Sequence, residues 1–132
     1  MSDPEAAELL EKLLTDNEVL DKSEKVGDSV YRLRWGSANI ITAIVRESIV
    51  VLAKLFDAMP AKDADKFCRR LLEINGELGG TASFAVQRDG AVVLQVGRGI
   101  RGLDSEEFGI MLGTIGKFAD DYDDVLAREF YN

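Results

Sequence analysis

The stretch Val30-Tyr-Arg-Leu-Arg-Trp-Gly-Ser-Ala-Asn-Ile-Ile-Thr-Ala-Ile-Val-Arg-Glu-Ser-Ile-Val-Val-Leu-Ala-Lys-Leu-Phe56 decides the fold. It holds three β-rich runs, residues 30–35, 39–45 and 48–56, separated by Gly36-Ser37 and Arg46-Glu47. Such short breaks between β-branched and aromatic runs predict an antiparallel meander. The first run alternates: Tyr31, Leu33 and Trp35 share one face, and Arg32 and Arg34 point the other way, as in a strand with one wet side. The second and third runs do not alternate. Ile40, Ile44 and Val51 fall on one parity, and Ile41, Val45, Val50 and Leu52 on the other, so both faces of the sheet are apolar there. One face can be covered by the chain's own helices; the second asks for another layer, either a further helix or a second subunit.

Working outward, Asp3-Pro4-Glu5 is a helix start, and a helix over residues 4–14 carries the apolar stripe Ala6, Leu9, Leu10, Leu13 and Leu14. Residues 15–29 are charged and without period, and read as a loop with room for a short strand at its end. A helix over 61–78, stopped by Gly79-Gly80, gathers Ala64, Phe67, Cys68, Leu71, Leu72, Ile74 and Leu78 on one arc, with Asn75 near the middle of it. Asp89-Gly90 joins strands over 83–88 and 91–96 as a two-residue hairpin. Asp104 with Glu107 three residues on opens a last helix over 105–129. The fold expected is therefore α+β, an antiparallel sheet of about five strands with helices packed on it, in the order α-β-β-β-α-β-β-α.

Length and composition fit one domain over residues 1–132, the first 29 being helix plus charged loop. Sixteen Lys and Arg against 24 Asp and Glu leave a formal charge of −8, which repels phosphate backbones and argues against nucleic acid. No apolar run reaches membrane-spanning length, and Met1-Ser-Asp-Pro-Glu has no signal-peptide character, so a cytoplasmic protein without a membrane partner is expected. The lone cysteine excludes an internally stapled scaffold. The complete lack of histidine removes the usual general base, the usual activator of Ser and Cys nucleophiles and the commonest metal ligand. No enzyme, cofactor or metal is expected.

Three features carry a family resemblance: Leu71-Leu72-Glu73-Ile74-Asn75, the Asp89-Gly90 hairpin, and Gly102-Leu103-Asp104 opening the last helix. In this order and spacing, residues 30–128 resemble the superfamily of class I type III secretion chaperones and YbjN-type domains. The resemblance implies a small, non-enzymatic, homodimeric protein. Its chaperone branch holds a stretch of an exported protein; its YbjN branch is regarded as sensory or regulatory. The sequence departs from the pattern at Gly97-Arg98-Gly99-Ile100-Arg101 and at residues 15–29.

Several patterns have a sharper reading and a plainer one. Residues 97–102 spell G-x-G-x-x-G between a strand and a helix, but no parallel strand follows to complete a dinucleotide-binding unit; a flexible connection, with Arg98 and Arg101 facing an acidic partner, is expected instead. Asp120, Asp121, Asp123 and Asp124 fan around a helix, and Lys117–Asp121 and Asp124–Arg128 are at ion-pair spacing, so a solvated face is expected rather than a cation site. Cys68 lies on an apolar arc and reads as a small hydrophobe. Asn75 reads as a buried amide satisfied by a loop or strand backbone. Gly109, Gly113 and Gly116 line one edge of the last helix's apolar stripe, at a cost of about 1 kcal/mol each. They serve either close packing within the monomer or contact with a subunit or partner. Tyr31, Leu33 and Trp35, with these three glycines, are the candidate contacts for a partner protein segment or a dimer mate.

Overall fold

A computed structural model describes residues 2–132. The meander forms as expected: strands β2 (Val30–Trp35), β3 (Ala38–Val45) and β4 (Ser48–Phe56) pair antiparallel in sequence. Helix α1 covers Asp3–Asp16, α2 Ala64–Leu78 and α3 Ser105–Phe130. Strand β1 (Ser23–Gly27) precedes the meander, and β5 (Ser83–Val86) and β6 (Val92–Gly99) form the later hairpin. The result is α+β, one sheet in the order β1-β2-β3-β4-β6-β5 with the element order α-β-β-β-β-α-β-β-α.

The sixth strand is the short one for which the charged stretch 15–29 left room near its end. Helix α1 runs to Asp16, a 3-10 turn spans Leu20–Lys22, and β1 then pairs with β2. An edge strand with polar residues on both sides has no period-2 signal of its own; the backbone bonds to β2 hold it. Ser2, not Asp3, caps α1: its hydroxyl accepts from the Glu5 amide at 3.3 Å and donates to the Glu5 carboxylate at 2.9 Å. Helix α2 starts three residues later than expected, after Asp63 in a left-handed conformation (φ 57°).

Two further corrections concern the second hairpin. Gln87 N–H donates to Ala91 O, and Gly90 N–H to Gln87 O, with Gly90 at φ 91°. That makes a three-residue loop with glycine in the left-handed position, the next commonest hairpin after the two-residue one. Strand β6 also runs on through Gly97, Arg98 and Gly99, opposite Val50, Ile49 and Ser48 of β4. Backbone pairing to a central strand holds the glycine-rich stretch extended, so it is not a flexible connection.

The core lies on one side of the sheet. Leu33, Ile40, Ile44, Ile49, Val51, Phe84, Val92 and Leu94 join Leu10, Leu13 and Leu14 of α1, Phe67, Leu71 and Ile74 of α2, and Phe108, Leu112 and Ile115 of α3 in one contiguous cluster. Each such side chain contributes about 1.5–3 kcal/mol when buried, which is what holds the narrow stripe of α1 in place. At one end, Phe67 meets Phe130 and Tyr131 edge-on, and Tyr131 stacks on Phe56 at 4.0 Å.

Candidate protein-binding surfaces

Tyr31 and Leu33 point into the core, 4% and 2% exposed. Tyr31 donates its hydroxyl to Glu11 at 2.8 Å, and burial first, then the Glu11 carboxylate, raises its pKa. Trp35 is half-buried on the same side and lies against α3. A Cβ on Gly116 would stand 2.5 Å from its ring, and one on Gly113 4.0 Å away. At Gly109 the neighbour is the carboxamide of Asn17, whose amide nitrogen bonds Leu13 O and Ser105 O at 2.9 Å each. The structure thus brings Trp35, Gly113 and Gly116 together, and this chain's own side chains occupy the space opened by the glycines. The accessible part of Trp35 lines a hollow with Asn17, Lys22, Arg34 and Gly36.

The other face of the sheet carries none of the three helices; Ile41, Ala43, Val50 and Leu52 on it are half-buried, and Val93 is buried. One row runs straight across it as Glu24, Arg32, Ile41, Leu52, Gln95 and Ser83 on successive strands. Beside it lie Ala43 and Val50, paired across β3 and β4, and Val45 is 52% exposed. Ile41, Val45, Val50 and Leu52 stand outside the core cluster and what packs on it. All three helices therefore serve one face, and among the described residues no helix covers the second apolar face inferred from parity. An open hollow of about 640 Å³ sits here, lined by Arg32, Asn39, Ile41, Lys54, Leu55 and Asp57.

A third surface lies where α2 meets the edge strand β5. Leu72 is 69% exposed, and Cys68, Leu71, Phe84, Ala85 and Val86 form a groove of about 280 Å³ beside it. Cys68 is half-buried in that groove wall. Asn75 secures the groove as its position on the apolar arc suggests. Its carbonyl oxygen accepts from Phe84 N–H at 2.6 Å, and its amide donates to Phe84 O at 3.2 Å. A side chain here does what a neighbouring strand would do for β5.

The remaining charged patterns are structural. Arg98 reaches the Glu107 carboxylate at the start of α3, and Asp104 caps that helix by accepting from Glu107 N–H at 2.8 Å. Lys117 pairs with Asp121 at 2.9 Å. Asp124 and Arg128 form no ion pair among the described residues. Asp120 accepts from the Ser37 hydroxyl, tying the β2–β3 turn to α3. No helix among the described residues is long and apolar enough to cross a membrane.

Residues 6–128 match the YbjN family, described as "Putative bacterial sensory transduction regulator". No curated protein sequence matches the chain significantly. Among solved structures, it is similar to a chain of the ExsC–ExsE complex (TM-score 0.67, 15% identity, covering 92% of this chain and 93% of that one). It is also similar to the Yersinia pestis type III secretion chaperone SycH, solved with a fragment of YscM2 (TM-score 0.60, 15% identity, 88% and 98% covered). A third likeness is to a chain of the heterodimeric ExoU–SpcU complex from the type III secretion system of Pseudomonas aeruginosa (TM-score 0.63, 12% identity, 76% and 85% covered). At these identities the likeness is one of fold.

Proposed function

This chain belongs to the YbjN family, and from that footing we propose that it is a non-enzymatic, cytoplasmic, homodimeric module that holds a segment of a partner protein. The observation that carries this reading is the one-sided sheet: three helices on one face, the other face apolar and open, and β1 left as an edge strand. An open edge accepts an added strand through backbone bonds, and an uncovered face supplies pockets for side chains. The similar folds solved with ExsE and with a YscM2 fragment support this reading. Of the six candidate residues, Trp35 offers accessible surface in the hollow beside β1 and is the proposed contact there.

The α2–β5 groove is the proposed dimer contact. Leu72 would enter the same groove of a second copy, an isologous arrangement that removes an exposed leucine from water on both sides. The test is copurification of the tagged chain from its native host with cross-linking mass spectrometry. A segment of one partner cross-linked at β1, at Trp35 or on the open sheet face supports the reading. Recovery of the chain alone from gently lysed cells sinks it. A second reading rests on the family description: a sensory regulator without chaperone activity. A folded signalling protein as partner, joined through a domain surface instead of an extended segment, would favour that reading.

A further inference from the structure

We propose that the open face of the sheet docks an acidic amphipathic helix of a partner protein, with its apolar side on Ile41, Val50 and Leu52 and its carboxylates against Arg32, Arg34 and Lys54. This inference rests on the protein-binding reading and gives that reading a partner chemistry. Charge segregation carries it. The chain has 24 acidic residues, yet among the described residues the charged side chains of strands β2 to β6 are Arg32, Arg34, Lys54 and Arg98, all basic. Arg98 turns to Glu107 on α3; Arg32 and Lys54 line the hollow on the open face, and Arg34, at the same strand parity as Arg32, stands at its rim where it also lines the hollow beside Trp35.

Their spacing suits a helix. Arg32 and Arg34 lie on β2 and Lys54 on β4, with Ile41 on the strand between. Two strand spacings are about 10 Å, and a helix with its side chains is about 10–12 Å across. A helix laid on Ile41 would therefore meet cations along both flanks. The hollow lined by Arg32, Ile41, Lys54 and Leu55 lies on this path. Arg34 has no ion pair among the described residues. Arg32 pairs with Glu24 at 2.6 Å and Lys54 with Asp57 at 3.2 Å, but all four side chains are more than half exposed. Such pairs are worth about 0–1 kcal/mol and exchange readily for a carboxylate that arrives with apolar contact.

The same charges disfavour other occupants. Two copies meeting face to face would gather Arg32, Arg34 and Lys54 of both into one interface, with only Glu24 and Asp57 of each to offset them. An extended polyanion such as nucleic acid or an anionic membrane would also meet the acidic remainder of the chain, whose net charge is −8, whereas a single short helix feels chiefly the cations within about 8 Å at physiological salt.

The probe is a synthetic peptide of about 18 residues, long enough to be helical on contact, with leucine along one face and glutamate on its flanks. Its control carries lysine for every glutamate. The full chain is titrated by NMR with each. Expected are amide shifts confined to β2, β3 and β4 with the glutamate peptide and none with the lysine peptide. Affinity should fall about tenfold or more in the R34E/K54E variant and in about 0.5 M salt. Leu52→Gln tests the apolar side independently, and the backbone spectrum of each variant shows that it is folded. Equal binding of both peptides, shifts on the α2–β5 groove, or equal competition by phosphatidylglycerol vesicles would overturn the proposal. If the glutamate peptide does not bind while a host partner cross-links at β1, this docking surface falls and the protein-binding reading stands. If neither occurs, both fall.

Discussion

The indole of Trp35 lies so close over Gly116 that a Cβ on the glycine would stand 2.5 Å from Trp35 Cδ1. Alanine is a better helix former by about 1 kcal/mol, but inserting a methyl group into a filled site costs about 1–3 kcal/mol. Both sides are packed here: Gly116 is buried, and Trp35 is held on the sheet by its strand. Gly116→Ala is therefore expected to lower stability. Gly113→Ala meets the same ring at an ordinary 4.0 Å and is expected to raise it by up to about 1 kcal/mol. Urea unfolding of the two variants separates packing from propensity, and equal signs would contradict the arrangement.

Asn75 supplies both a donor and an acceptor to Phe84 of the edge strand. Asn75→Asp keeps the acceptor and loses the donor, and Asn75→Leu loses both. The first leaves the Phe84 carbonyl unpaired and the second leaves both Phe84 groups so, at a cost of about 1–3 kcal/mol for each part-buried group. Hydrogen exchange should show the Phe84 amide opening much faster in Asn75→Leu, with β2 and β3 amides little changed. Protection of Phe84 equal to the wild type would rule out this role.

Burial raises the pKa of Tyr131 to about 12. Its hydroxyl donates to Ala58 O at 2.7 Å and its ring stacks on Phe56. In the unfolded chain a tyrosine ionises near pH 10. Below that pH the phenol is neutral in both states and its contribution is complete. From about pH 10 to 12 the unfolded chain loses the proton first, so stability falls as pH rises. Urea midpoints should drop between about pH 10 and pH 12, and Tyr131→Phe should flatten the drop while lowering stability at neutral pH.

If the α2–β5 groove is the dimer contact, Leu72→Glu removes the dimer without harming the protomer. Leu72 is 69% exposed, so the change should alter monomer stability by no more than about 0.5 kcal/mol. Light scattering at micromolar concentration should report twice the chain mass for the wild type and the single chain mass for the variant. A wild type that is already monomeric would remove the dimer and leave Leu72 in need of another partner.

The meander, the two longer helices and the second hairpin were legible because each has a strong local cause: period-2 or period-3.6 patterning, a cap, or a glycine stop. Asn75 was legible too, since an amide in the middle of an apolar arc must find a backbone partner. Strand β1 was legible only as room for a short strand near the end of the charged stretch, because Ser23–Gly27 is held by β2 and not by its own pattern. Gly97–Gly99 hid its strand for the same reason, with pairing to β4 supplying what two glycines lack. The Asp89-Gly90 signal correctly marked a hairpin and missed its length, because a glycine at φ 91° serves both loop types.

By itself, the sequence determined that Tyr31, Leu33 and Trp35 share a face opposite Arg32 and Arg34, since alternation is a property of the extended backbone. It also determined that the sheet is apolar on both sides. Only the tertiary structure decided which side the helices take. They cover the aromatic side, where Gly109 and Gly116 leave room for Asn17 and Trp35, and they leave the arginine side open. That choice depends on where α1 and α3 return to the sheet, a long-range closure that no local pattern encodes.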